Sequence, residues 1–359
     1  MFFNALASVK EVEDAKDLSK IFEETTAEVG ARKDAYFSQA GQTVVTDYLL
    51  AAGVSGYYLD VVFKWINQPT NPEPANLLRD HGFEPIALRV EAAQKLPDKT
   101  RGGVYGEARR IVSFLESRRL MDWLCPGEGR EEFNPAKFVT SKDTLYLLSQ
   151  EGAGSAGPII AALTKAVFDA GEKEAATSPG GRLPVPLVAV LDEAANICRI
   201  RELPDKYSHY GSKGILPMTI LQSYEQGQEV WGELGMAKLW SAANVRIYGG
   251  NAVSDKFLSL IEKLIGTYDY KEAVVSHGRD GKSTSYQTRT ESILSIADLA
   301  AVPGDRMIII AGQCRPVLAR AVPWFKDRQL LRQVKEANKA AQAKKDAKEA
   351  KEKEVVASV

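Results

Sequence analysis

The sequence predicts an α/β protein built on a doubly wound sheet. Three observations carry that expectation. Leu187 to Leu191 form an unbroken apolar run that ends directly on Asp192 and Glu193. Further apolar runs follow it, alternating with helical patterns. The first 65 residues carry apolar side chains at helical spacing. A strand covered on both faces of a parallel sheet reads as a continuous apolar run rather than an alternating one.

Taken in order, residues 10 to 52 read as two helices, the second presenting Tyr36, Phe37, Ala40, Val44, Tyr48 and Ala52 on one face. VVTDYLLAAGVSGYYLDVVF is the most apolar stretch, but Asp47 and Asp60 interrupt it, so it predicts a core helix pair and not a membrane span. Pro69, Pro72 and Pro74 mark a break, and the region from residue 66 to 140 reads as a separable helical insertion. Thr144 to Ser149 (TLYLLS) is strand-like, and QEGAGSAGP after it opens a helix from about Pro158 to Lys173. The LVAVL strand is followed by a helix to about Tyr210. Strands are then expected at 215–221, 244–250 and 307–312, with helices at Glu225–Trp240 and 252–265 and a hairpin at 270–290. Four such βα units argue for a RecA-like sheet. The Lys/Glu/Ala-rich tail from about residue 327 predicts a solvated helix or a disordered arm.

Carboxylates at the carboxyl end of a buried parallel strand sit where such sheets bind ligands. In nucleotide hydrolases an Asp there holds the magnesium shell and a neighbouring Glu polarises the attacking water. The same two acids can also simply cap the next helix. A phosphate loop, G-x-x-x-x-G-K-[ST], would decide between the two, and none precedes the pair. The GKS at Gly281-Lys282-Ser283 has Ser276 where the first Gly belongs, and it lies in turn-rich, alternating sequence that reads as a hairpin tip. The 359 residues thus hold half of an ATPase site, the other half being absent, replaced or upstream.

Composition sets the remaining bounds. A 45% hydrophobic share belongs to a core-forming protein, and a net charge of −1 leaves no bulk basic field for nucleic acid. The three cysteines and three histidines are too scattered for a metal site or disulfide framework, which points to a reducing cytoplasm. Arg101, Arg109, Arg110, Arg118 and Arg119 make a local basic excess, a candidate contact for DNA phosphates or an acidic partner. Against that, Glu107–Arg110 and Glu116–Arg119 have the spacing of intrahelical pairs.

LVAVLDEAANI, LPDKYSHYGSKGILPMTILQSYEQ and LWSAANVRIYGG, followed by ADLAAVPGDRMIIIAGQCRPVL and PWF, occur in an order that resembles the type IV coupling proteins of bacterial conjugation, the TraG/TraD type. The resemblance spans roughly residues 140 to 326, and DAYFSQAGQTVVTDYLLAA extends it to the first helices. It implies a RecA-like P-loop NTPase sheet, partial because the phosphate-loop strand is lacking, with an inserted all-α domain at 66–140. The chain would be the carboxyl-terminal part of a hexameric, membrane-associated ATPase of the inner membrane. That ATPase would use ATP and Mg2+ to pass DNA and relaxosome proteins, TraM recognition included, to a type IV secretion channel. Residue by residue, it implies magnesium coordination through water by Asp192, catalysis by Glu193 and nucleotide sensing by Gln222, whose plain alternative is a strand-end cap. Lys213 stands where the family often has an Arg that reaches a neighbouring subunit, and a point charge cannot make the bidentate phosphate contact of a guanidinium. Arg199 and Arg201 are further cation candidates, with pairing to Glu202 as the bland reading. A non-catalytic adaptor of the same fold, and an unrelated enzyme using the acids with another metal, complete the set of readings.

Overall fold

The computed structural model describes residues 1–26, 34–149, 155–197, 199–278 and 281–357. Most of the loop expected after Ser149 lies outside the described residues, as do Cys198 and the hairpin tip at 279–280. The chain divides into two compact units, Met1–Ala243 and Asn244–Val359.

The first unit opens with helices α1 (Val12–Thr26), α2 (Ala35–Val54) and α3 (Leu59–Ile66). The Asp34 side chain caps α2, accepting from the backbone N–H of Tyr36 and Phe37 at 3.0 and 3.3 Å. The expected helical stretch follows as α4 (Glu73–Asp80), α5 (Glu84–Gln94), α6 (Asp98–Ile111), α7 (Arg118–Leu124) and α8 (Pro135–Val139). Prolines stand in the first turns of α4, α5 and α8, where a missing N–H costs nothing. Val44, Tyr48 and Ala52 are buried as the spacing of α2 predicts, while Tyr36 is turned outward. Gly41 lets α2 approach α6 closely, since a Cβ there would stand 2.6 Å from the Glu107 Cβ. The Tyr48 and Tyr105 hydroxyls meet at 2.8 Å in the interior, and Trp65 packs edge-on to Tyr48. One apolar core runs from Phe3 to Val167, so the helices expected as an insertion share their interior with the first three helices and with the next one.

That next helix is α9 (Gly157–Thr177). It leads to β1 (Leu187–Leu191), α10 (Ala194–Ile197), α11 (Leu203–Lys213), β2 (Ile215–Thr219) and α12 (Tyr224–Ala242), the last broken at Gly232. The strands pair in parallel, with Leu187 opposite Ile215 and Leu191 opposite Thr219. Gly214, at φ 82°, closes α11 in the left-handed conformation and turns the chain into β2. Phe168, Leu203, Tyr210, Ile215 and Trp231 form a second core between helices and strands.

Two expectations are corrected here. Residues 144–149 join no sheet among the described residues. They keep a strand's alternation, Leu145 and Leu147 packing on the core while Tyr146 and Leu148 are 80% and 87% exposed. The LVAVL strand is covered on one face only, for Val188 and Val190 are about as exposed as surface residues, as are their register partners Leu216 and Met218.

The second unit holds β3 (Val245–Tyr248), α13 (Asp255–Ile265), the long hairpin β4 (Thr267–Gly278) and β5 (Gly281–Ser292), α14 (Ile296–Ala300), β6 (Arg306–Ala311), β7 (Val317–Arg320) and α15 (Arg328–Ala357). The sheet order is β3-β6-β7, and both pairings are antiparallel. Among the described strands of the expected doubly wound sheet, parallel pairing is therefore found at β1 and β2. The hairpin lies in the connection between β3 and β6, and β6 returns in the opposite sense. Tyr248, Leu258, Ile261, Leu299, Ile308 and Ile310 make this unit's own core. Gly281 and Lys282 open β5 opposite Gly278 and His277, so the GKS segment belongs to the hairpin as its sequence predicts. The charged tail is helical, as α15.

Candidate functional site

The end of β1 is held by two bonds that continue the β1–β2 pairing past the strands. The Ile220 N–H donates to the Leu191 carbonyl at 3.0 Å, and the Ala194 N–H donates to the Ile220 carbonyl at 3.1 Å. Leu191 below and Ala194 and Ala195 beyond are buried, so Asp192 and Glu193 occupy the single turn where the chain crosses the surface. Glu193 has φ 48°, a left-handed conformation that strains any residue with a Cβ. Its carbonyl accepts from the Asn196 N–H at 2.8 Å at the start of α10.

Across the turn, the Gln222 Nε2 donates to the Glu193 Oε1 at 3.0 Å. Gln222 follows β2 by three residues and is exposed, as is the bond it makes. Behind it, the Gln226 Nε2 donates to the Gln222 Oε1 at 3.4 Å. Ser223 caps α12, its Oγ accepting from the Gln226 N–H at 3.1 Å. The structure thus brings Asp192, Glu193 and Gln222 together at one edge of the parallel pair. It adds Gln226, which the sequence reading missed although the S-x-x-Q spacing of a capping box was visible in SYEQ.

Asp192 is exposed, and its side chain makes no ion pair or hydrogen bond among the described residues. Among those residues no group of three His, Cys, Asp or Glu side chains could hold a metal ion. Two carboxylates with open water access suit magnesium brought in on a nucleotide, because that ion keeps several waters and takes only one or two protein carboxylates. Asp192 offers one such oxygen donor, and Glu193 stands next to it.

The other candidates lie elsewhere. Lys213 ends α11 just before β2, while the acids follow the far end of β1. In a parallel pair that difference is the length of the strand, about 13 Å. Lys213 therefore does not join the acidic pair of its own chain. Arg201 pairs with Glu24 at 3.2 Å rather than with Glu202, and the Arg199 Nε donates to the Ala195 carbonyl at 2.8 Å.

In the helical region, Arg101 is tied to Asp98 and to the carbonyls of Gln94 and Leu96, and Arg110 to Glu107 at 2.8 Å. The expected Glu116–Arg119 pair is not formed. Glu116 ends a 3-10 turn and Ser117 starts α7 as a new helix, so the intrahelical spacing does not apply. Arg109, Arg118 and Arg119 are without an ion pair among the described residues. Arg119 lines a cavity of about 670 Å³ together with Phe3, Trp123, Leu147 and Ile160. Trp231 donates its indole N–H to the Ile200 carbonyl at 2.9 Å in the interior, a packing role.

A family model described as the TraM recognition site of TraD and TraG matches residues 186–304. That range begins just before β1 and contains the acidic pair, Gln222 and the long hairpin. A search of curated proteins finds no match. Among solved structures, the bacterial conjugative coupling protein TrwBdeltaN70, in a trigonal form with sulphate, superposes with a TM-score of 0.60 at 14% identity. That match covers 89% of this chain and 71% of the other. The plasmid coupling protein TrwB in complex with ADP and Mg2+ matches with a TM-score of 0.56 at 14% identity, over 89% and 71% of the two chains. The same protein with the ATP analogue ADPNP gives 0.56 at 13% identity over the same shares. At such identity the likeness is one of fold.

Proposed function

We propose that this chain, a TraG/TraD-type coupling protein, carries the hydrolytic edge of an ATP-driven motor for conjugative DNA transfer. The observation that carries the reading is the Glu193–Gln222 hydrogen bond beside Asp192, at the carboxyl end of the parallel pair. Magnesium-nucleotide, when bound, supplies the scissile phosphate bond and the charge neutralisation around it. Asp192 would hold the ion's water shell. Glu193 accepts a proton from the attacking water. Gln222, with both a donor and an acceptor, couples the water's position to the state of the phosphate.

No G-x-x-x-x-G-K-[ST] loop occurs in these 359 residues. Two features support the view that a further layer covers this sheet in the working motor. Val188, Val190, Leu216 and Met218 form an exposed apolar stripe on a parallel pair, whereas such pairs are normally covered on both faces. Tyr146 and Leu148 stand out from an extended segment that has no strand beside it among the described residues. In this reading residues 1–65 and 141–326 belong to the RecA-like motor, 66–140 to an inserted all-α domain and 327–359 to a charged tail. The motor assembles as a hexamer at the inner membrane, takes single-stranded DNA with relaxosome proteins, and delivers them to the secretion channel. Arg109, Arg118 and Arg119 are the cations left to touch DNA or a partner, and Lys213, on the other end of the strand, is free to act on a neighbouring subunit.

Absence of a phosphate loop from the sequence favours one second reading, a docking adaptor that has shed catalysis. Steady-state ATPase assays with single-stranded DNA separate the two. The isolated chain should turn over negligibly in either case. With a phosphate-loop segment present, Glu193→Gln should lower turnover about 10²–10⁴-fold while nucleotide still binds. Asp192→Ala should weaken magnesium-dependent binding as well. Turnover that ignores both substitutions would overturn the hydrolytic reading, and no turnover even with that segment present would leave only the adaptor.

A further inference from the structure

We propose that Gln226 is a positioning residue that holds the Gln222 amide in the orientation Glu193 selects. The inference rests on the hydrolytic reading above for its function, but its geometry stands independently.

An ionised carboxylate can only accept hydrogen bonds. The Glu193 Oε1 therefore selects the amide group of Gln222 and turns the Gln222 Oε1 away. That oxygen then needs a donor, and the Gln226 Nε2 is the side-chain donor recorded on it, at 3.4 Å. The resulting row has one polarity, from Gln226 through Gln222 to Glu193. A flipped Gln222 would set its oxygen against the carboxylate, and its NH2 would meet the NH2 of Gln226 unless that amide turned with it, so Glu193 sets the polarity and Gln226 supports it.

The capping geometry shows that Gln226 has been diverted to this task. Ser223 and Gln226 have the S-x-x-Q spacing of a reciprocal capping box. Only the serine half is made, the Ser223 Oγ accepting from the Gln226 N–H. In α14 the equivalent box is complete: Ser295 Oγ accepts from the Asp298 N–H at 3.2 Å, and Asp298 Oδ2 accepts from the Ser295 N–H at 2.9 Å. At α12 the side chain that would close the box reaches back to Gln222 instead. Gln226 stands on a capped helix, and Gln222 lies in the bend between β2 and that helix.

The test is selective side-chain amide NMR on the whole chain. The Gln222 NH2 pair should shift between the native chain and Glu193→Gln, and that shift should vanish when Gln226→Glu is also made, which places an acceptor against an acceptor. Gln226→Lys, which keeps a donor, should retain it. Ser223→Ala removes the cap alone and should lower the melting temperature without moving the Gln222 signal. If Gln226→Glu leaves the Gln222 signal unchanged, or Ser223→Ala abolishes it equally, Gln226 is only part of the helix start and the proposal falls. In a protein that hydrolyses ATP, Gln226→Glu should lower kcat about five- to tenfold with KM unchanged. Should no hydrolysis exist to measure, the NMR result still decides the positioning role, while the hydrolytic reading fails separately.

Discussion

Glu193 is held with φ 48° at the turn after β1, where glycine would sit without strain. Strain of this kind costs about 1–3 kcal/mol and persists where the side chain has work to do. Glu193→Gly is therefore expected to melt at or above the native temperature, the gain being about 1 kcal/mol, while losing every activity that depends on the carboxylate. A clear fall in melting temperature would show that the side chain is there for stability. At this scale the sequence was informative where chemistry is concentrated in a motif. LVAVLDE and the Gln after ILPMTIL lead to two side chains that do meet, Glu193 and Gln222, with Asp192 next to them in the turn. It was less informative wherever a partner comes from elsewhere in the chain. Arg201 finds Glu24, 177 residues away, rather than its neighbour Glu202, and spacing contains no hint of that. Gln226 was hidden for a different reason, because a capping box looks the same in sequence whether or not its second bond is made.

Among the elements, α2 and α5 are joined by a buried ion pair. Asp47 is buried, and Arg89 binds it with both arms, Nε to Oδ2 at 2.9 Å and Nη2 to Oδ1 at 2.5 Å. Burial outweighs the pairing and holds the Asp47 carboxyl above its usual range, while the hydrogen bond to Asp47 raises the Arg89 guanidinium. The two shifts pull in different senses, since the pairing lowers the carboxyl. The desolvation of an almost wholly buried carboxylate is the larger effect. Arg89→Met should cost about 1–3 kcal/mol at neutral pH by leaving that carboxylate alone. Because the native Asp47 takes up its proton more readily than the unfolded one, its ionisation destabilises as pH rises through the raised pKa. The deficit of Arg89→Met should therefore be larger at pH 7.5 than at pH 4.5, which paired thermal melts would check; a deficit that grows on acidification would contradict the assignment. Helices such as α2 and α12 were readable because their period and caps are local. The 144–149 segment misled for the opposite reason. Its alternation is a strand's, but a strand exists only with a neighbour to bond, and the sequence of one segment does not hold its neighbour.

For the molecule as a whole, the packing rewrites the order in which parts can be removed. The first two cores lie wholly within Met1–Ala243, and the third within Asn244–Val359. A chain ending at Ala243 is thus expected to melt cooperatively and keep its helical circular dichroism. Removing 66–140 takes Leu78, Val104, Tyr105 and Ile111 out of the core they share with Tyr48 and Trp65, and should leave an unfolded remainder. That outcome reverses what the proline break alone suggests, since composition marks where a chain turns and not which side chains meet. The stripe of Val188, Val190, Leu216 and Met218 matters before any catalysis begins. During synthesis, and later at high concentration in a tube, it is an adhesive surface beside a strand pair, the kind that recruits chaperones or a second copy out of register. Val190→Lys should raise the concentration at which the purified chain begins to scatter light and leave its melting temperature within about 1 °C, because the residue it replaces already faces water. Colloidal behaviour, more than folding stability, is then what limits how long this chain stays single.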